Sequence, residues 1–210
     1  MTTILLLSSG KFLPNNPLIL GKPFKEIKMA MVINASKGKG VANTDYLERD
    51  KTFFKEQGCN FFELDLDGKT EDELRDILKK VDVVYLEGGS TFYLLKSIRD
   101  SGFDKVIGEL LPQGLIYMGV SAGSYVACPT IEMATWKHQD KYDHYGITDL
   151  TGMNLVPFLL SVHYKPENQE LLKEKIPQAS LSVKILTDDQ AILVRDGKEQ
   201  LLGSQEEIKL

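Results

Sequence analysis

Cysteine and histidine are scarce in this chain, and clustered basic residues and long apolar runs are missing from it. Its two cysteines, Cys59 and Cys128, have no metal-ligand spacing and are too few for a disulfide framework, which fits a reducing compartment. Basic residues gather in nothing longer than short pairs such as Lys79-Lys80, and the formal net charge is -5. Nucleic acid and anionic membranes are therefore poor partners, and a small soluble ligand is a better one. No apolar stretch approaches the ~20 residues of a membrane span. The run Ile4 to Leu7 is only a strand's length and lacks the basic start of a signal peptide. These absences predict a cytoplasmic protein. Its 210 residues fit one domain, spanning 1–210, that buries roughly 70% of the surface of the unfolded chain.

Short β-branched and leucine-rich runs recur at Thr3 to Leu7, Lys28 to Asn34, Asn60 to Leu64, Asp82 to Leu86 and Leu115 to Val120. Between them lie segments with helical spacing: Asn43 to Gln57, Thr70 to Lys80, Thr91 to Asp100 and Phe103 to Leu110, with a further one at Glu167 to Lys175. The strands are apolar without clean alternation, as expected when helices cover both faces of a parallel sheet. Right-handed crossovers then predict a doubly wound, mostly parallel α/β sheet flanked by helices. The rhythm changes after residue 130. Thr135 to Thr148 reads as a polar and aromatic loop, and apolar runs return at Leu155 to Val162, Val183 to Leu186, Ala191 to Arg195 and Gln200 to Leu202. Arg195-Asp196-Gly197-Lys198 makes a hairpin turn between the last two, so the tail should carry antiparallel strands.

The segment Met118-Gly119-Val120-Ser121-Ala122-Gly123-Ser124 follows the apolar run Leu115-Ile116-Tyr117 and reads as strand, tight turn and helix. A serine at such a corner, with glycine two before and two after, projects its hydroxyl at the strand's carboxyl end. The helix that opens there offers free amides to a developing anion. A structural strand-to-helix turn or a phosphate-binding loop fits the same heptamer.

A serine nucleophile needs a base. Three histidines are available. His138 and His144 lie in the polar loop near Asp140 and Asp143, with no helix to align them as metal ligands, so no metal is expected. His163 closes the run Phe158-Leu159-Leu160-Ser161-Val162 and should sit at a strand end, where ligand sites of doubly wound sheets gather. The orienting carboxylate is expected from Asp188-Asp189, between two candidate strands. Because neighbouring side chains in extended chain diverge, only one of the two can reach the histidine. Upstream, Val83 to Glu87 runs into Gly88-Gly89-Ser90-Thr91-Phe92, a second glycine-bearing strand end. Its Gly89 amide, with that of Ala122, would form an oxyanion hole.

Gly88 to Phe92, then Gly119 to Ser124 followed by Ala127-Cys128-Pro129-Thr130-Ile131, then His163, stand in an order that resembles the dipeptidase E family of serine peptidases. That family includes aspartyl dipeptidases and is related to cyanophycinases. The resemblance spans nearly the whole chain. It implies a class I glutamine amidotransferase-like (flavodoxin-like) fold, with Ser121 as nucleophile, His163 as base and an acid in the tail. Aligning Ile185 to Gln190 with the family's tail segment favours Asp188 in place of its glutamate. An acid proposed for the family's triad a little after the serine falls near Trp136 here, which also favours the tail aspartate. The family's Gly-Gly-Asn-Thr reads Gly88-Gly89-Ser90-Thr91, and no arginine follows His163; Lys165 stands nearby. A preference for an N-terminal aspartate is therefore not carried over.

The resemblance thus implies a serine hydrolase of small peptides with Ser121, His163 and Asp188 as the triad and amides of Gly89 and Ala122 as the oxyanion hole. Ser90, Thr91 and Lys165 would touch substrate, no cofactor would be needed, and the chain would act as a monomer or small homo-oligomer. Two alternatives differ in class. One is an α/β-hydrolase-type esterase, whose acid precedes its histidine and would be Asp149. The other is a non-enzymatic, flavodoxin-like ligand-binding module.

Overall fold

Successive residues of a strand point to opposite faces, and here both sets are apolar and buried. Ile4, Leu6, Ala30, Val32, Val84, Leu86 and Tyr117 join one core, while Leu5, Leu7, Met29, Met31, Val83, Tyr85, Met118 and Val120 join the other. A sheet of this kind has to be covered twice. The computed structural model describes residues 1–210 apart from 39, 40, 42, 139–142, 204 and 205, and apart from the side chain of His138.

The strands are β1 (Thr3–Leu7), β2 (Lys28–Val32), β3 (Asn60–Leu64), β4 (Val83–Leu86), β5 (Ile116–Val120), β6 (Leu159–Ser161), β7 (Val183–Ile185), β8 (Gln190–Arg195) and β9 (Lys198–Gly203). Seven of them form one sheet in the order β3-β2-β4-β5-β1-β8-β9. The pairs from β3 through to β1 are parallel, and β8 and β9 continue the sheet antiparallel, as the tail pattern predicts. The helices are α1 (Asp45–Glu56), α2 (Glu71–Leu78), α3 (Thr91–Ser101), α4 (Phe103–Leu110), α5 (Ala122–Val126), α6 (Ala134–His138) and α7 (Gln169–Lys175). Apolar residues of α2 to α5 fill the first core, and Leu47 and Phe54 of α1 fill the second with Phe12, Leu13 and Phe24. This is the mostly parallel, helix-flanked sheet expected from the sequence.

Three features differ from the pattern. First, β3 is an edge strand with Asn60, Phe62 and Glu63 exposed, so it is not covered on both faces. Second, the run Leu155 to Val162 supplies only the short β6, which pairs with β7 in a separate two-stranded sheet rather than joining the main one. Its first residues are instead held by the carbonyls of Ala127 and Cys128, which accept from the amides of Leu155 and Asn154. Third, the polar loop expected from Thr135 to Thr148 begins inside a short helix, α6.

The register aligns the ends of the central strands. Leu86 of β4 pairs with Gly119, and Leu7 of β1 pairs with Val120, so all three parallel strands finish together at one edge. The turn from β5 into α5 lies directly against them. An added Cβ on Gly119 would stand 2.4 Å from the Gly123 carbonyl oxygen, and one on Gly123 would stand 2.2 Å from that of Leu86. The two glycines flanking Ser121 are therefore required by backbone contact.

Gly123→Ala is expected to cost about 2–3 kcal/mol, a drop of roughly 4–12 °C in Tm by scanning calorimetry. Gly108→Ala in α4, whose added methyl meets nothing within 4 Å, serves as the control and is expected to leave Tm unchanged or raise it, since alanine is the better helix former.

Candidate active site

Ser121 lies at φ 50° and ψ −104°, a backbone conformation that costs an L-residue about 1–3 kcal/mol. Hydrogen bonds on both sides hold it there. Its amide donates to the Leu7 carbonyl at 3.0 Å, and its own carbonyl accepts from the amides of Ser124 and Tyr125 at 3.0 Å. The Ser124 hydroxyl, fully buried, lies 2.8 Å from the carbonyl oxygens of both Leu7 and Gly119 and ties the turn to the strands.

His163 follows β6 by two residues, also with positive φ, 55°. Four contacts fix the backbone around it. The His163 amide donates to the Ser8 hydroxyl oxygen at 2.7 Å, and the Tyr164 amide to the Leu186 carbonyl at 2.9 Å. The Val162 carbonyl accepts from Lys137 Nζ at 2.7 Å, and the Val162 amide donates to the Tyr125 hydroxyl at 3.4 Å. Burial pulls the Lys137 ammonium down to about 8. The imidazole lies with Nε2 3.0 Å from Ser121 Oγ and Nδ1 2.6 Å from Asp188 Oδ1.

Asp188 and Asp189 diverge. Asp188 faces His163 and also accepts from Lys11 Nζ at 3.1 Å through Oδ2, whereas Asp189 accepts from the Thr187 hydroxyl. The hydrogen bond from His163, with help from Lys11, holds the Asp188 carboxyl well below the usual carboxylate range. An ionised carboxylate on Nδ1 selects the tautomer with its proton there. Nε2 is then free to accept from the Ser121 hydroxyl.

The second glycine loop faces this group. Gly88 is close enough that an added Cβ would lie 3.3 Å from that of Ser121, and Gly89 takes φ 134° where its backbone passes the Ala35 carbonyl. Neither the Gly89 nor the Ala122 amide is engaged by a backbone carbonyl of the described residues. Ser90, expected to touch substrate, is turned inward: it is fully buried, and its hydroxyl oxygen caps α3 by accepting from the Tyr93 amide at 3.2 Å. At the N-cap of a helix, a serine hydroxyl oxygen is taken up by one of the orphan amides of the first turn. Asp149 is also elsewhere. It pairs with Arg99 at 3.3 Å and caps Thr151, in line with neither His163 nor Ser121. Of the loop residues considered as metal ligands, Asp140 lies outside the described residues, as does the His138 side chain; His144 stacks on Phe92 with ring centroids 4.0 Å apart.

Ser121, His163 and Asp188 line a cavity of about 560 Å³ together with Gly88, Gly89, Thr91 and Lys165. The cavity also contains three cations that sequence reasoning did not single out, Lys11, Arg49 and Lys137. Arg49 projects from α1 and is anchored by the buried Asp50, 2.8 Å from its Nε, which also accepts from the Tyr85 hydroxyl at 2.6 Å. A single arginine on a charged helix carries no sign in the sequence of which way it faces. The signal that could have found it is its neighbour, an aspartate at a position of α1 that packs inward.

A model of peptidase family S51 matches residues 4–202. An uncharacterized peptidase of Listeria innocua is 32% identical over 154 residues, 72% of this chain and 73% of its own length. An uncharacterized peptidase of Pasteurella multocida is 30% identical over 163 residues, 76% of this chain and 78% of its own. The peptidase E of a Nostoc strain is 30% identical over 57% of this chain and 46% of its own length. Among solved structures, a provisionally assigned peptidase E protein of Listeria monocytogenes superposes with a TM-score of 0.82 at 24% identity, covering 98% of this chain and 100% of its own. That likeness speaks for the fold.

Glu87 lies buried at the foot of the glycine loop, with Oε1 accepting from the Ser36 amide at 3.0 Å and Oε2 without a hydrogen-bond partner among the described residues. Burial pushes its carboxyl from 4.5 up to about 8. Between those values the folded protein keeps a proton that the unfolded chain releases. The contribution of Glu87 to stability therefore falls as pH rises from 4.5 towards 8 and levels off above. Glu87→Gln, which keeps the shape without the charge, is expected to raise Tm at pH 8 by roughly 3–10 °C and to flatten the decline between about pH 5 and 8. Thermal denaturation across that range checks it, and an unaltered slope counts against the assignment.

Proposed function

Starting from a chain that belongs to peptidase family S51 and is a peptidase, we propose that it hydrolyses small peptides with Ser121 as nucleophile, His163 as general base and acid, and Asp188 as orienting carboxylate. The observation that carries this reading is the continuous line from Ser121 Oγ to His163 Nε2, 3.0 Å, and from Nδ1 to Asp188 Oδ1, 2.6 Å, at the wall of the cavity. Ser121 Oγ attacks the peptide carbonyl carbon while its proton passes to Nε2. The amides of Gly89 and Ala122 stabilise the oxyanion of the tetrahedral intermediate. Collapse breaks the C–N bond, and the imidazolium gives its proton to the departing amine. Water then attacks the acyl-enzyme with His163 again as base, releasing the acid and restoring the serine.

The cavity volume, about 560 Å³, suits a di- or tripeptide rather than a folded protein. Lys11, Arg49, Lys137 and Lys165 line the cavity; Lys11 pairs with Asp188, Arg49 with the buried Asp50 and Lys165 with Glu167 at 3.8 Å, so four cations face three carboxylates. This balance favours a substrate carrying carboxylate groups, with Thr91 and Lys165 among the contacts. Among the described residues no helix is long and apolar enough to cross a membrane. The free, buried Cys59 and Cys128 fit action in the cytoplasm.

Ser121→Ala is expected to abolish labelling by a fluorophosphonate and to lower kcat/KM on dipeptides by about 10⁴-fold or more, and Asp188→Asn by about 10³–10⁴-fold with folding intact. Asp149→Asn should stay within about threefold; a large loss there would favour the esterase arrangement. Amidating the C-terminus of a good dipeptide substrate is expected to raise KM about tenfold or more, a loss on the scale of one charge-assisted contact. An unchanged KM would remove the carboxylate from the recognition scheme.

A further inference from the structure

The segment that leaves β1 reaches the site twice. The Ser8 hydroxyl holds the His163 amide at 2.7 Å, and three residues on, Lys11 places Nζ 3.1 Å from Asp188 Oδ2. Lys11 is positioned by the turn that Ser9 begins, whose hydroxyl oxygen accepts from the Lys11 amide at 3.4 Å. The two oxygens of Asp188 are thereby divided, Oδ1 to the imidazole and Oδ2 to the ammonium.

We propose that Lys11 is a positioning residue of the site, occupying Asp188 Oδ2 so that the carboxylate keeps Oδ1 in one orientation toward His163. This rests on the triad reading above. A carboxylate shared with a cation is a weaker partner for an imidazolium than one left alone, so removing Lys11 should show in the pH dependence of the reaction at Ser121 as well as in its rate. Other charged or titratable groups face the same imidazole or its neighbours: Lys137 through the Val162 carbonyl, Tyr125 through the Val162 amide, Lys165 and Glu167 from the segment after it, and Arg49 across the cavity. Among the described residues, only Lys11 bonds to the Asp188 carboxylate beside the imidazole itself. The Lys11 and Asp188 side chains are 63% and 39% exposed, so solvent screens the pair and the expected shift is modest.

The test is the pH dependence of Ser121 inactivation by a fluorophosphonate, which needs the neutral imidazole but no knowledge of the peptide substrate. Lys11→Met is expected to move the acidic limb of the inactivation rate up by roughly 0.3–1 pH unit, and Lys11→Arg to bring it back. The difference should shrink in 1 M salt. NMR titration of the His163 ring, assigned with His163→Gln, should report the same displacement. If Lys11→Met leaves the limb and the ring titration in place, the proposal is overturned, even if the rate falls at every pH or KM for carboxylate-bearing peptides rises. Absence of Ser121 labelling in the unmodified protein would instead remove the triad reading itself.

Discussion

Parallel pairing of β4, β5 and β1, in a register that ends Leu86, Val120 and Leu7 together, is the constraint from which the site follows. At that edge the chain turns three times in close quarters. It turns through Gly88-Gly89 after β4, through Ser121 after β5 and through Ser8-Ser9 after β1. The serine turn is held by carbonyls at the ends of the other two strands: the Ser121 amide and Ser124 hydroxyl take that of Leu7, and the Gly123 amide takes that of Glu87. The strained serine is therefore an expense met by the sheet, because its hydrogen bonds exist only when all three strands are in place.

The imidazole reaches the serine by another route. Its strand, β6, belongs to the small second sheet, and the connection to the main one runs through side chains: Ser8 on the His163 amide, Tyr125 on the Val162 amide, Lys137 on the Val162 carbonyl. Two of these supports come from elements next to the serine, α5 and the end of β1. A displacement of the serine turn would thus carry the histidine's anchors with it. Asp188 comes from the turn before β8, which pairs antiparallel with β1, so the strand that braces the serine also locates the acid.

Charge is distributed unevenly between this site and the rest of the molecule. The chain as a whole is acidic, with a formal charge of -5, yet four cations line one cavity, three of them paired with Asp188, Asp50 and Glu167. Burial acts on both signs near it, raising Glu87 and lowering Lys137, each to about 8. Such groups are costly to bury and are kept where position matters, at the foot of the glycine loop and behind the histidine.

The sequence by itself determined the alternation of strands and helices, the antiparallel tail and the identity of the serine turn, because periodicity and glycine spacing are local properties that a chain carries before it folds. It also offered Asp188-Asp189 as a partner for the histidine, with Asp149 as the alternative, but that Asp188 meets the imidazole depends on how the turn before β8 is set against β1. Ser90 shows a related limit: its hydroxyl is local in sequence to both the loop and the helix it caps, and only the packed helix shows that the Tyr93 amide takes it. Tertiary structure alone decided that Lys11, Arg49 and Lys137, far apart in the chain, share one cavity with Ser121. Long charged side chains leave no periodic trace of their direction, and their neighbours exist only once the sheet has brought distant segments to the same edge.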